Sequence, residues 1–276
     1  MLRRLIKKCV REWAKWRFRC FPRSVRARCW CGGDLRPFPR QPIYGICREC
    51  GTYVNRQPLA IESLRRLYSF DLYWHARQRL KGHPVIEQRA AHDRGDGRVD
   101  FWIGLIKEHG PSSGQVVEVG CGSGVLLAEL KRMGYSCCGV EPDRKTAEWV
   151  ADSAGVEMVS GLFPDAPAPR CDLFLAMDVM EHSIDPLAFM RKAAQLLRQG
   201  GVAVIQTPIH RDGDDPPFGD RFNDAFDPTE HNFIFTDQAM RRLAELAGLR
   251  VIDAGRRLAA HHEICVFKAD LKKVDN

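Results

Sequence analysis

Short, nearly continuous apolar runs alternate with stretches of helical period through the middle of this chain. Val116 to Val119 is one run, Cys137 to Val140 a second and Cys171 to Met177 a third. Leu126 to Met133 is amphipathic after the first, and Pro186 to Leu197 after the third. Gly200-Gly201 then leads into the apolar run Val202 to Gln206, while Val156 to Ser160 is short and ambiguous. Strands apolar on both faces, each followed by a helix, predict an α/β protein with a parallel sheet covered on both sides.

The first run ends in the glycine-rich turn Gly120-Cys121-Gly122-Ser123-Gly124. Glycines there supply left-handed backbone and let a ligand come close. Val125 stands where a dinucleotide fingerprint has its third glycine, and Glu118 just before the turn disfavours a pyrophosphate. A tight strand-to-helix turn without a ligand fits the same residues. Glu141, at the tip of the second run, decides for a ligand, because an acid there can accept both ribose hydroxyls of an adenosine. The third run empties into Asp178-Val-Met-Glu181-His182.

With these residues in place, the chain resembles the class I S-adenosylmethionine-dependent methyltransferases. It is most similar to a branch carrying Asp-x-x-Glu-His after the fourth strand and Glu-His before a Phe-Thr helix start, here Glu230-His231-Asn-Phe-Ile-Phe-Thr236. The resemblance covers roughly Val99 to Lys268. It implies a Rossmann-like, seven-stranded, mostly parallel sheet ending in Gly248 to Ala254 and an antiparallel Glu263 to Lys268. It implies that Glu118, Gly120, Cys121, Gly122 and Gly124 cradle the methionine end of the cofactor, and that Glu141 and Pro142 meet its ribose. Asp143, Leu162 and Phe163 would lie near the adenine, with Met177 and Asp178 as the floor.

Composition adds two further segments. The net charge of +7 is uneven: residues 1–28 hold eleven Lys or Arg against Glu12, a net +10, which leaves the remainder at −3. In that arm Leu2, Leu5, Ile6, Cys9, Val10, Trp13 and Trp16 recur at helical spacing between the basic residues. Such a helix suits an anionic membrane surface, at roughly 1 kcal/mol per basic residue. RNA phosphates, a processed leader and a solvated helix packed on its own domain are the other readings. The sequence has no run long enough to span a bilayer and no secretory signal. Its eleven cysteines, odd in number and scattered, favour a reducing cytosol over a disulfide framework. The expected location is cytoplasmic, peripheral at the membrane surface.

Cys29-Trp-Cys31-Gly and Cys47-Arg-Glu-Cys50-Gly form two knuckles suited to one tetrahedral Zn²⁺, a closed structural site. Four ordinary buried thiols are the alternative. The expected organisation is therefore a basic arm (1–28), a zinc-ribbon-like module (29–57), a helical cap (58–110), the methyltransferase core (111–270) and a tail (271–276). In the cap, Leu64 to Tyr68 and Tyr73-Trp74-His75 read as helices over the cofactor cleft, with a short helix at Val85 to His92. Pro208 to Asn232, rich in Pro and Asp, reads as an acceptor lid or a solvated loop.

Methyl transfer from a sulfonium needs mainly an aligned acceptor. A hydroxyl acceptor gains from a base, and His182 and His231, each following an acid, are the candidates. The leading expectation is O-methylation of a sugar, glycan or other small molecule near the membrane surface. The alternatives are an RNA methyltransferase whose ribbon and arm hold nucleic acid, and a non-catalytic S-adenosylmethionine-binding module.

Overall fold

The computed structural model describes residues 20–211, 222–257 and 262–269. Most of the basic arm (1–19), the middle of the Pro208–Asn232 loop (212–221) and the tail lie outside the described residues. In chain order the strands are β1 (Leu35–Pro37), β2 (Tyr44–Cys47), β3 (Tyr53–Asn55), β4 (Gln115–Val119), β5 (Ser136–Glu141) and β6 (Glu157–Ser160). They continue as β7 (Cys171–Met177), β8 (Leu197–His210), β9 (Phe233–Thr236), β10 (Leu249–Arg257) and β11 (His262–Ala269).

Seven of these strands pair in the order β6-β5-β4-β7-β8-β11-β10; the first five are parallel, and β11 lies antiparallel between β8 and β10. Among the described residues the paired sheet does not stop at seven strands but counts eleven. β9 pairs with the tip of β8, β3 pairs antiparallel with β9, and β1 and β2 complete a meander. The reason is apolar: Tyr53, Val54, Phe233 and Ile234 are all buried, and β9 would otherwise leave an open edge. Residues 29–57 thus continue the sheet instead of standing apart from it.

The helices are α1 (Ile61–Leu67), α2 (Asp71–Arg77, running on into Gln78–Lys81), α3 (Ile86–Gly95) and α4 (Arg98–His109). After the first core strand come α5 (Val125–Arg132), α6 (Arg144–Ala154), α7 (Pro186–Leu196) and α8 (Asp237–Leu246). Their starts follow side-chain chemistry. Asp143 accepts from Thr146 N, Asp185 from Leu187 N and Ala188 N ahead of Pro186 at the first helical position, and Thr236 from Ala239 N.

Neighbouring strand residues serve opposite faces. Val116, Leu173 and Leu175 pack with Trp102, Leu105 and Ile106 of α4 and Leu126, Leu127 and Leu130 of α5. Val117, Phe174 and Ala176 pack with Phe189, Met190 and Ala193 of α7 and Met240 and Leu243 of α8. Each fully buried Leu or Phe contributes roughly 2 kcal/mol. This double packing fixes β4, β5 and β7 so that their carboxyl ends open on one side.

Candidate functional site

A cavity of about 490 Å³ lies over those carboxyl ends, and residues of α1, α2, α3 and α4 also line it. It falls within the size range of small-molecule sites, roughly 300–1,000 Å³.

At one end, Gly120, Cys121 and Gly122 form its rim. Gly120 has φ of 67°, and a Cβ there would meet Val179 Cγ2 at 2.5 Å, so no side chain fits. The backbone N–H of Gly122 donates to Glu141 Oε1 at 2.6 Å, locking the turn to the tip of β5. Burial pushes the Glu141 carboxyl up to about 7, a rise that this hydrogen bond limits. Glu118 also lines the cavity, and its buried Oε2 has no hydrogen-bond partner among the described residues. Burial, then the neighbouring Glu141, drives Glu118 well above the usual carboxylate range. Two desolvated acids beside one turn favour a ligand that brings hydroxyls and positive charge.

Pro142, Leu162, Phe163, Met177 and Asp178 line the same cavity. Asp178 sits in left-handed backbone, φ 58°, just past β7. Its carboxylate accepts Gln206 Nε2 at 2.8 and 2.9 Å and pairs with His262 Nδ1 at 2.6 Å. Burial acts to raise it, but His262 and Gln206 hold it down at about 2.

Two residues expected at the ligand do other work. Gly124 is a packing position, where a Cβ would meet Val150 Cγ1 at 2.6 Å. Asp143 uses its carboxylate to cap α6, accepting from Thr146 N and Oγ1 at 2.8 and 3.1 Å. Neither lines the cavity.

Several lining residues had escaped sequence reasoning. Arg89, Asp93, Arg98 and Trp102 also line the cavity. Arg89 Nε donates to both Asp93 oxygens at 2.8 Å, and Arg98 lies 3.5 Å from Asp93. The i,i+4 pairing of Arg89 with Asp93 was the available signal, in a stretch whose high charge reads as a connection.

Another part of the lining is the histidine wall. Tyr68, Ile61, Leu64, His182 and Ile184 line it. Tyr68 Oη and His182 Nδ1 are 2.7 Å apart. Burial, then His231, pushes His182 down to about 3, so its imidazole is neutral. His231 does not line the cavity: its ring packs behind His182, 5.1 Å between centroids, and its Nδ1 donates to the carbonyl of Ala225 at 2.7 Å. The acid before it, Glu230, is buried against Arg77, which also donates to Asp227 at 2.7 Å, while Lys81 lies 3.1 Å from Asp227. This ionic cluster ties α2 to the end of the long loop.

Residues 29–57 reach this wall. Tyr44 Oη donates to the carbonyl of His231 at 2.8 Å, and Asn55 Nδ2 to the same carbonyl at 3.3 Å. Asn232 Nδ2 then donates to the carbonyls of His182 and Ser183 at 2.9 and 3.1 Å. Behind them the Sγ atoms of Cys29, Cys31, Cys47 and Cys50 converge, with separations of 3.5 to 3.7 Å for the close pairs. The edge of a tetrahedron with Zn–S bonds of 2.3 Å is about 3.8 Å, so the four thiols fit that ion. Glu49 N–H points at Cys47 Sγ, 3.4 Å away, as the knuckle geometry asks.

A sequence profile described as a methyltransferase domain matches residues 73–254. The chain belongs to the methyltransferase family. Its strand order and glycine turn are those of the class I, S-adenosylmethionine-dependent fold. An O-methyltransferase of ubiquinone biosynthesis from Ralstonia nicotianae is 31% identical over 170 residues, 58% of this chain and 65% of that protein. One of the same name from Bradyrhizobium diazoefficiens is 31% identical over 99 residues, 34% of this chain and 39% of that protein. This methyltransferase chain therefore spans about two fifths of the length of the latter relative. A solved structure from Nostoc punctiforme, described as a candidate O-methyltransferase, gives a TM-score of 0.55 at 16% identity, over 67% of this chain and 60% of that one. That likeness is one of fold. Among the described residues no helix is long and apolar enough to cross a membrane.

Proposed function

We propose that this methyltransferase-family protein transfers the methyl group of S-adenosylmethionine to a hydroxyl oxygen of a small-molecule or glycan acceptor. The observation that carries the reading is the pair of desolvated carboxylates flanking the glycine turn. Glu141 takes the two ribose hydroxyls, and Glu118 meets the cationic methionine end. Arg89 or Arg98, which line the same cavity, would take the methionine carboxylate. Leu162 and Phe163 offer an apolar slot for the adenine, and Pro142, Cys121, Met177 and Asp178 complete the surface.

The sulfonium then points toward the histidine wall, where Tyr68, Ile61, Leu64 and Ile184 leave room for an acceptor of mixed apolar and hydroxyl character. The reaction forms an oxygen–methyl bond as the sulfur–methyl bond breaks, S-adenosylhomocysteine leaves and the hydroxyl proton is lost. His182 is the group at that wall in reach of the acceptor hydroxyl, and His231 positions it from behind. Zn²⁺ on Cys29, Cys31, Cys47 and Cys50 would hold the ribbon, through which Tyr44 and Asn55 brace the histidine segment. The basic arm brings the enzyme to an anionic membrane surface and so to lipid-linked acceptors. An RNA acceptor is the weaker reading, since the charge outside the arm is −3 by the count above.

Calorimetric titration with S-adenosylmethionine, followed by labelled-methyl transfer to nucleotide sugars, lipid-linked glycans and total RNA, tests this. No heat with the cofactor or its demethylated product, together with no effect of Glu141→Lys, would overturn the enzyme reading.

A further inference from the structure

An unbroken chain of hydrogen bonds runs under the floor of the cavity, from α4 to β11. Trp102 Nε1 of α4 donates to Gln206 Oε1 of β8 at 2.9 Å. Gln206 Nε2 donates to both Asp178 oxygens just past β7, and His262 Nδ1 of β11 donates to Asp178 Oδ1 at 2.6 Å. The strand register makes this meeting unavoidable, since Gln206 stands between Met177 and Ile264. The Gln206 carbonyl also accepts the Asp178 N–H at 2.9 Å. Among the described residues Asp178 alone, glycines aside, has a positive φ, a conformation that costs energy unless its surroundings impose it.

Asp178 lines the cavity, whereas Gln206 and His262 do not. Its place is between the glycine turn and the histidine wall. The next residue, Val179, fills the space where a Gly120 Cβ would stand, and His182 follows three positions later. An ionised carboxylate only accepts, so the proton of the 2.6 Å contact sits on His262 Nδ1. A bond this short is of the charge-assisted kind. Burial acts to lower His262, but Asp178 outweighs it and keeps the imidazole above its ordinary value. Glu181 adds to that rise, and Arg98 of α4 opposes it. Asp178 and His262 are thus an ion pair whose anion borders the cavity and whose cation stands outside it.

We propose that His262 is a positioning residue for the cofactor: it holds Asp178 in place and cancels its charge, so that the floor does not favour the cationic sulfonium over its neutral product. This rests on the proposed methyl-transfer function. S-adenosylmethionine carries a positive charge on sulfur, and S-adenosylhomocysteine carries none there. As the oxygen–methyl bond forms and the sulfur–methyl bond breaks, that charge leaves the sulfur. An unscreened anion beside it would hold the starting state more tightly than the transition state and slow the step. Burial holds Glu118 and Glu141 above the usual carboxylate range, whereas Asp178 is held below it. Of these three acids Asp178 is therefore the one that stays fully charged and has most need of a compensating cation.

Paired calorimetric titrations of the full chain with S-adenosylmethionine and S-adenosylhomocysteine read that charge directly. The ratio of the two dissociation constants cancels any loss of competent protein. His262→Asn keeps a donor at the place of Nδ1 and removes the cation. The dissociation constant of S-adenosylhomocysteine relative to that of S-adenosylmethionine should then rise about tenfold, as for one unit charge near the sulfonium at a protein's effective dielectric. Adding Asp178→Asn should bring the ratio back to within about threefold of wild type, because both charges are then gone. In the wild type, the nitrogen-15 shifts of the His262 ring, assigned by their loss in His262→Asn, should be those of an imidazolium at neutral pH. A neutral ring overturns the proposal. So does a ratio that stays within about twofold in His262→Asn while both affinities move together, the mark of a structural role. If both ligands bind the wild type and the ratio does not move, this inference falls alone; if neither binds, the methyl-transfer reading falls and takes it along.

Discussion

Two parts of the cavity wall, the glycine turn and the histidine wall, are built in different ways. The turn end comes from β4, the glycine turn and the tip of β5, with Gly122 N–H bonded to Glu141 across nineteen residues. The histidine wall gathers Tyr68, His182, His231 and Asn232, and leans on Tyr44 and Asn55 from the cysteine-bearing hairpin. Tyr68 and His182 are 114 residues apart, and Tyr44 and His231 187. A site made from one local unit fails only by local damage. A site assembled from distant segments inherits the stability of everything that holds them, so damage far away reaches it.

The sharpest test of that difference is a change in the thiol quartet. If the four thiols hold zinc as proposed, Cys50→Ser should release it and lower the melting temperature by about 10 °C or more, since structural zinc sites contribute many kcal/mol to folding. Acceptor turnover should collapse while cofactor affinity, measured by calorimetry, changes only a few-fold. Equal loss at both ends would erase the distinction. Next in size is Arg77→Met, which leaves Glu230 buried without its closest cation. About 3–5 kcal/mol of stability should go, read by denaturant unfolding, and with it the tie between α2 and the loop end.

At the turn end, Glu141→Gln should weaken S-adenosylmethionine by about 10- to 100-fold, the worth of a hydrogen bond to a charged group. The same carboxyl predicts a pH dependence. Its pKa is raised by burial to about 7, above an unfolded value near 4.5, so the folded state holds the extra proton between those limits. The stability of the cofactor-free protein is therefore full below about pH 4.5 and declines as pH rises through 7, by on the order of 3 kcal/mol. Differential scanning calorimetry from pH 5 to 8 should show that decline, shallower in Glu141→Gln and shallower again with cofactor bound. Asp178, held at about 2, works in the opposite sense, and its contribution is lost only in strong acid. The smallest effect expected is that of Tyr68→Phe, which removes one hydrogen bond to His182. It should cost about 1 kcal/mol at the acceptor end, near fivefold in kcat/KM, with cofactor affinity untouched.

How far the sequence could be read follows the same division. The Val116–Gly124 unit, Glu141 and the strand runs were legible because their chemistry is local: β-branched residues, a turn that only glycine allows, an acid at a strand tip. The four cysteines were legible because their spacing is a geometric statement. Asp143 and Gly124 misled because a capping aspartate and a packing glycine look, in sequence, like ligand residues. Arg89, Asp93, Arg98 and Trp102 were missed because a charged stretch reads as surface until helix packing turns it inward. His231 was read as a candidate base at the cleft, but its ring packs behind His182 and does not line the cavity.

The chain by itself determined the α/β architecture, the glycine turn with its two acids, and the thiol quartet, since each depends on contacts between near neighbours or on a period that repeats along the sequence. Only the tertiary structure decided that the hairpin at residues 35–55 extends the sheet through β9, that Glu181 is sealed in, and that His231 packs behind His182. Those facts depend on burial and on partners far away in the chain, and both exist only once the segments have packed.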